Sequence, residues 1–225
     1  MFEFLFCEKI SSFDCKEFTL KAKTLLRRGL FSFIYLKWRP TVIFPEKAIT
    51  LKDGRTAILK SPCVSDAEKM LGYIKKACGE TNFLLRYPEE FAMTTEQEAA
   101  WILGLRSASD ALAITCYVDG EVVGNCEIHF MTGLKTKHRA AVHIALLKAY
   151  WNLGIGSAMF EELIAAAKAN PDTEIVELEF LEGNDRARAL YEKFGFRVVG
   201  ERPNAFRLKD GTVLKEFFMQ KYLRD

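Results

Sequence analysis

Apolar residues recur along this chain with two periods. In some runs they alternate with polar residues, as on a half-buried strand. In others they return every three to four residues, as on the buried face of a helix. From Thr41 onward the runs follow one another regularly. Ala48–Leu51 and Thr56–Leu59 flank Asp53-Gly54, a hairpin signal. Ser65 is placed to cap a helix reaching Ala77, and Thr95 with Glu98 has the spacing of a capping box ahead of a helix to about Ser107. Leu112–Val118 and Val122–Met131 read as strands around Asp119-Gly120, and Arg139–Leu147 as a third. Gly154–Ala169 predicts a helix with Met159, Phe160, Leu163, Ile164 and Ala167 on one face, ended by Pro171. Val176, Leu178 and Phe180 alternate as a strand. Asp185–Phe194 predicts a helix striped by Ala187, Leu190, Tyr191 and Phe194 and closed by Gly195. Arg197–Phe206 and Val213–Tyr222 pair as strands around Asp210-Gly211. Such an order predicts an α/β fold, a mixed sheet with helices on both faces.

Residues 1–40 break this regularity. They hold 7 of the 18 phenylalanines and 8 basic against 4 acidic residues, while the chain as a whole carries only +2. Leu20–Leu36 has the makings of a basic amphipathic helix, and Pro40 marks a boundary. The expected organisation is an N-terminal basic, aromatic extension over 1–40 and one enzyme-sized domain over 41–225. The near-balanced total argues against a protein that coats nucleic acid. The longest uncharged run, Ala149–Phe160, is 12 residues, short of the roughly 20 that a membrane helix needs. No basic leader or cleavage pattern opens the chain. The six cysteines, at 7, 15, 63, 78, 116 and 126, show no C-x-x-C spacing. The expectation is therefore no metal, a reduced intracellular protein and a cytoplasmic location. Cys116 and Cys126 fall in strands and read as small buried hydrophobes.

Chemistry concentrates in two segments. In the first, Ile144–Phe160, a strand runs into a short turn and a helix starting at Gly154-Ile155-Gly156-Ser157. Glycines let backbone approach a ligand, and a helix start offers unpaired N–H groups, so the turn suits a diphosphate. It is not a P-loop, since Gly156 is followed by Ser157-Ala158, nor a dinucleotide fingerprint, since Met159 stands at the third glycine position. The second segment runs from Asn184 through Ala187 and Tyr191 to Gly195-Phe196. Read on their own residues, Asn184 is a helix cap and Tyr191 a core aromatic.

Taken together, these segments resemble the GNAT superfamily of acyl-CoA-dependent N-acetyltransferases. Trp151-Asn152-Leu153-Gly154-Ile155-Gly156 stands at the superfamily's Arg/Gln-x-x-Gly-x-Gly/Ala motif. Asn184 to Phe196 matches its N-x-x-A-x-x-x-Y-x-x-x-G-F helix. The resemblance covers roughly 42–225 and implies a mostly antiparallel central sheet with direct transfer of acetyl from acetyl-CoA to an amine. It implies that Leu153, Gly154, Ile155, Gly156 and Ser157 cradle the pyrophosphate through their N–H groups. Leu146, Leu147 and Lys148 would pair with the pantetheine arm, and an N–H there would polarise the thioester oxygen. Asn184 would bond the pantetheine, and Tyr191 would protonate the departing thiolate. Trp151 stands where the superfamily has Arg or Gln, so one phosphate contact is lost.

An ammonium must lose a proton before it can attack. Many relatives carry a Glu on the strand before the loop; here that strand, His138–Leu146, has no carboxylate. Glu127, which shares a face with His129, and His138 are the candidate bases beside a water relay; His143 falls on the face opposite His138. By the same resemblance, the acceptor is met between the first two helices, where Tyr87, Glu89 and Glu90 stand. The two acids attract a cationic amine or form only a solvated turn. The partner implied is a small-molecule amine or a protein amino group, with no nucleic acid and no membrane span, and a homodimer left open. The alternatives are a non-catalytic acyl-CoA-binding module and an interaction protein driven by residues 1–40.

Overall fold

Strand and helix boundaries follow the hydropathy periods closely. In a computed structural model, which describes residues 43–224, the elements run β1 (Lys47–Thr50), β2 (Thr56–Lys60), α1 (Ala67–Glu80), α2 (Thr95–Ser107), β3 (Ala111–Val118), β4 (Glu121–Phe130), β5 (Arg139–Leu146), α3 (Ile155–Ala169), β6 (Ile175–Leu181), α4 (Asp185–Lys193), β7 (Arg197–Arg207) and β8 (Val213–Tyr222). The expected extension 1–40, with its amphipathic stretch, Cys7 and Cys15, lies outside the described residues.

The eight strands form one sheet in the order β1-β2-β3-β4-β5-β6-β8-β7. All neighbours pair antiparallel except β5 and β6, which are parallel. The order expected from sequence, with helices on both faces of a mostly antiparallel sheet, is the order found. β3 is buried along its whole length, as a central strand covered on both sides must be. One face packs Ile155, Met159, Phe160, Leu163 and Tyr191 of α3 and α4 against Cys126, Ile128, Ala140 and Val142. The other packs Ala67, Met70, Tyr73 and Ala77 of α1 and Ile102 of α2 against Tyr117, Val122 and Leu147. Cys116 and Cys126 are buried in the first of these layers.

Two helix starts differ from the expectation. Ser65 does not cap α1. A short 3-10 turn, Val64–Asp66, comes first, and Asp66 accepts from Cys63 N at 2.8 Å and from the Tyr117 hydroxyl at 2.8 Å. The helix then runs past Ala77 to Glu80. At α2 the capping box sits one residue earlier than expected. Thr94 Oγ1 accepts from Gln97 N at 3.3 Å, and Gln97 Oε1 accepts from Thr94 N at 2.9 Å. Thr94 with Gln97 and Thr95 with Glu98 share the required spacing; forming the first pair leaves Glu98 free to turn inward, where it is buried.

The feature that positions the site is the interrupted pairing of β5. It meets β6 only through Arg139–Ala141 against Ile175–Glu177. Among the described residues, Val142–Leu146 therefore has no strand partner on its β6 side, although it continues to pair with β4 on the other.

Candidate active site

The open edge of β5 has a definite hydrogen-bonding register. Leu147 N donates to Val123 O at 2.9 Å, and Met131 N donates to Arg139 O at 3.0 Å. Opposite residues in an antiparallel pair alternate between bonded and non-bonded. The odd-numbered residues of β5 therefore turn their N–H and C=O groups to β4, and Val142, Ile144 and Leu146 turn theirs toward the gap. Of the three residues expected to meet the pantetheine, only Leu146 presents its backbone there. The Leu147 N–H is used by Val123, and the Lys148 N–H donates to Glu80 Oε2 at 2.6 Å. The Tyr73 hydroxyl braces this part of the strand from α1. It donates to Ala145 O at 2.6 Å and accepts from Asn125 N at 3.1 Å.

Beyond Leu146 the chain turns into α3. Gly154 takes a left-handed conformation at φ 97°, which a side chain would strain, and no side chain caps the helix. The first bond into its backbone ladder is Ala158 N to Gly154 O at 3.1 Å. The N–H groups of Ile155, Gly156 and Ser157 thus precede the ladder and face outward from the helix start. Gly156 serves a further purpose, since a Cβ there would lie 3.2 Å from Leu190 Cδ2 and 3.6 Å from Leu146 Cδ1. Its lack of a side chain lets α3 sit close to α4 and to the end of β5. The turn is held from behind by Lys52 N, which donates to Leu153 O at 3.1 Å.

Trp151 fastens the same turn. Its indole Nε1–H donates to Leu146 O at 2.9 Å. Arg186, from α4, lies over its ring with Cζ 3.3 Å from the centroid. Arg186 is half-buried, burial pulls its pKa down, and it forms no ion pair among the described residues. Lys193 adds a second cation near the helix start, donating to Ser157 Oγ at 3.1 Å. The cation absent at position 151 is thus matched by one brought from α4, a pairing that sequence spacing does not reveal.

Asn184 caps α4, its Oδ1 accepting from Ala187 N at 3.3 Å. Tyr191 is 6 % exposed and packs against Phe160, Phe180 and Phe196 at ring separations of 5.3, 6.0 and 6.3 Å. Its hydroxyl has no hydrogen-bond partner among the described residues. Burial pushes the phenol up to about 12, so the proton stays on at neutral pH.

The face under α1 and α2 carries a polar cluster. Glu127 Oε1 accepts from Asn125 Nδ2 at 2.9 Å, and Glu127 Oε2 lies 2.9 Å from His129 Nε2. Thr115 Oγ1 donates to Asn125 Oδ1 at 2.9 Å. His143 stands directly across the ladder from Glu127, its ring 5.9 Å from that of His129. Glu127, accepting a hydrogen bond from the His129 ring, raises the pKa of His129. For His143, incomplete solvation and the neighbouring His129 charge outweigh the pull of Glu127 and lower it. His143 is accordingly neutral at neutral pH. His138 is not brought to this cluster. It precedes β5 on the opposite parity, about 17 Å along the strand from His143 at ~3.3 Å per residue.

The acceptor-side residues are differently engaged. Glu90 closes a local turn by accepting from Tyr87 N at 2.6 Å. The Tyr87 hydroxyl accepts from Lys209 N at 3.0 Å, Lys209 Nζ lies 4.2 Å from the Tyr87 ring centroid, and Lys209 also pairs with Glu89. The segment between α1 and α2 is thereby latched to the β7–β8 turn, with Glu89 in an ion pair and Glu90 in a local backbone hydrogen bond. The residue that sequence reasoning passed over is Glu98. It is 6 % exposed on α2, and burial with the nearby Glu127 charge pushes its carboxyl up to about 7. The available signal was the second possible capping pair, Thr94 with Gln97. No cluster of metal-ligating side chains occurs among the described residues, and none of their helices is long and apolar enough to cross a membrane.

Comparison with known proteins matches this arrangement. The sequence model of the acetyltransferase (GNAT) family covers residues 80–196, just over half of the chain. The L-amino acid N-acetyltransferase AaaT of Escherichia coli (strain K12) is 26% identical over 104 residues, 46% of this chain and 64% of that protein. An N-alpha-acetyltransferase of Sulfurisphaera tokodaii is 35% identical over 98 residues, 40% of this chain and 59% of that protein. The matched stretch thus spans under two thirds of either relative. Among solved structures, a GNAT-family acetyltransferase from Streptococcus pneumoniae shares the fold with a TM-score of 0.70 at 22% identity, over 74% of this chain and 99% of that one.

Proposed function

The chain belongs to the acetyltransferase (GNAT) family, and from that premise we propose that it moves an acetyl group from acetyl-CoA to the amino group of a small amine or a protein by direct attack. The observation that carries this reading is the unpaired Val142–Leu146 edge of β5 running into an uncapped helix start. An extended amide-bearing arm adds to such an edge as a strand would, and a diphosphate suits N–H groups at a helix start. These residues fit acetyl-CoA. Bound there, it supplies the thioester carbon that an amine attacks.

The chain's own groups then divide the work. Ile155, Gly156 and Ser157 hold phosphate oxygens through N–H donors, and Arg186, set on Trp151, adds a charge-assisted contact. The Leu146 backbone orients the arm, with Tyr73 holding the neighbouring Ala145 carbonyl in place. On the α1–α2 face, Glu127 and His143 take the ammonium proton, directly or through one water. The lowered pKa of His143 keeps it able to accept. Tyr191 keeps its proton until a thiolate needs it. The same reading puts the enzyme in the cytoplasm, independent of metal.

Calorimetric titration with acetyl-CoA, followed by assay of free thiol released with a panel of amines, tests the proposal. Binding together with amine-dependent thiol release is expected. Binding without release for any amine would make the domain an acyl-CoA-binding module instead.

A further inference from the structure

Thr115 is fully buried in the central strand β3. A buried hydroxyl needs a partner, and the partner shows what it serves. Thr115 faces Asn125 across the β3–β4 ladder, and its Oγ1 lies 2.9 Å from Asn125 Oδ1. Asn125 Nδ2 lies in turn 2.9 Å from Glu127 Oε1, and Glu127 Oε2 lies 2.9 Å from His129 Nε2. This chain of contacts has one consistent polarity. An ionised carboxylate only accepts, so Asn125 must turn its amide N–H to Glu127 and its carbonyl to Thr115. Thr115 must then give its single hydroxyl proton to that carbonyl; Met70 Sδ, 3.7 Å away, is the weaker acceptor. A hydrogen bond on each carboxylate oxygen leaves Glu127 little freedom to rotate. Across the ladders Glu127 meets only the methyl of Ala113 on β3 and the His143 ring on β5. Its side chain is 16 % exposed, so it is not sealed from solvent. The backbone of Asn125 is fixed as well. Asn125 N donates to the Tyr73 hydroxyl at 3.1 Å, and that hydroxyl donates to Ala145 O at 2.6 Å, beside Leu146.

We propose that Asn125, oriented by Thr115, is a positioning residue for acetyl transfer: its amide holds the Glu127 carboxylate at a fixed setting relative to the Leu146 edge. The inference rests on the acetyltransferase reading, in which that edge carries the acyl arm and Glu127 with His143 takes the ammonium proton. One residue thus ties together the two sides of the reaction. Its backbone, through Tyr73, sets the end of β5, and its side chain sets the proton acceptor. An amide suits this task better than a cation. A lysine or arginine at position 125 would grip the carboxylate as firmly but would neutralise it, whereas the amide fixes it and leaves its charge free to act. The buried Thr115 makes the arrangement specific, because without its proton the Asn125 amide has nothing to fix which end faces Glu127.

The test compares the parent full chain with Asn125→Asp, Thr115→Val and Thr115→Ser. Aspartate keeps the shape of asparagine and still accepts from Thr115, so a merely structural role predicts little change. Loss of the donor beside Glu127 predicts instead a fall in kcat on the order of ten- to a hundred-fold, with amine KM and acetyl-CoA affinity little changed. Thr115→Val, which keeps the volume and removes the proton, is expected to lower kcat by about ten-fold. Thr115→Ser, which keeps the hydroxyl, should retain most of the rate. Calorimetry with acetyl-CoA reports that each variant folds; if Asn125→Asp fails there, the Val and Ser variants of Thr115 decide. Parental kcat in Asn125→Asp or Thr115→Val, or an equal loss in Thr115→Ser and Thr115→Val, overturns the proposal. Absence of thiol release from the parent with any amine overturns the transferase reading, and NMR then reads the positioning by itself. An Asn125 side-chain amide proton held by a carboxylate resonates downfield, in the parent and in Thr115→Ser, and is expected to move back in Thr115→Val. A resonance that does not respond to Thr115→Val overturns the proposal as well.

Discussion

Replacing Tyr191 with Phe removes a single oxygen and little else. The ring contacts with Phe160, Phe180 and Phe196 survive, since they involve the ring face and edge. No hydrogen bond is lost, because the hydroxyl has no partner among the described residues. A lost intramolecular hydrogen bond typically costs about 1 kcal/mol; with none to lose, the stability change should stay under about 1 kcal/mol in either direction. The chemical consequence is larger. General-acid catalysis contributes about 10²–10⁴-fold, equivalent to roughly 3–5 kcal/mol of barrier. Burial holds the phenol protonated, with a pKa of about 12, so the proton is present but the acid is a weak one, which lowers the expected help. A thiolate departs more readily than an alkoxide, which puts the expected loss in kcat nearer the lower end, about 10²-fold. The assay is free-thiol release at saturating amine, with acetyl-CoA affinity measured by calorimetry and thermal midpoint by circular dichroism. The reasoning predicts a rate loss with affinity and midpoint nearly unchanged. Normal turnover would make Tyr191 a packing residue. A stability loss above about 2 kcal/mol would mean that its hydroxyl holds the fold, since that exceeds one ordinary hydrogen bond.

Three further outcomes follow from particular contacts. Arg186→Ala should weaken acetyl-CoA binding by on the order of ten-fold, consistent with loss of one charge-assisted contact, while leaving acetylpantetheine, which has no diphosphate, unaffected; calorimetry with both ligands decides. Glu98 should make stability depend on pH. Its carboxyl is raised from 4.5 to about 7 in the folded protein, so the folded state holds a proton that the unfolded state releases. The stabilisation is complete below about 4.5 and disappears as pH rises through about 7, a change on the order of 3 kcal/mol. Denaturant titrations should show it in the parent and not in Glu98→Gln. Thr173, 1 % exposed, has a buried hydroxyl with no partner among the described residues. Thr173→Val should therefore be neutral or stabilising by up to about 1 kcal/mol in the same titrations.

Local chemistry determined much of this protein. Strand alternation, Asp-Gly turns and the stripe on α3 depend on neighbours within a few residues, so β8 and most of α3 follow from reading along the chain. The two glycines of the α3 turn and the Asn184 cap were legible for the same reason: each answers a requirement of its own backbone. Tertiary structure decided what depends on residues far apart. Two capping boxes satisfied the same spacing at α2, and only packing against the sheet selected Thr94 with Gln97 and turned Glu98 inward. His143 joined Glu127 because β4 and β5 pair in one register, and strand parity keeps His138 apart from that cluster by the same geometry. Arg186 reached Trp151 across 35 positions because α4 returns beside the α3 turn. Glu89, an acid free to attract an amine when read alone, is bound to Lys209, 120 residues later. Hydropathy and turn chemistry act over a few residues, and so sequence shows them. Charge pairing and desolvation depend on distance in space, and that distance exists only once the sheet has formed.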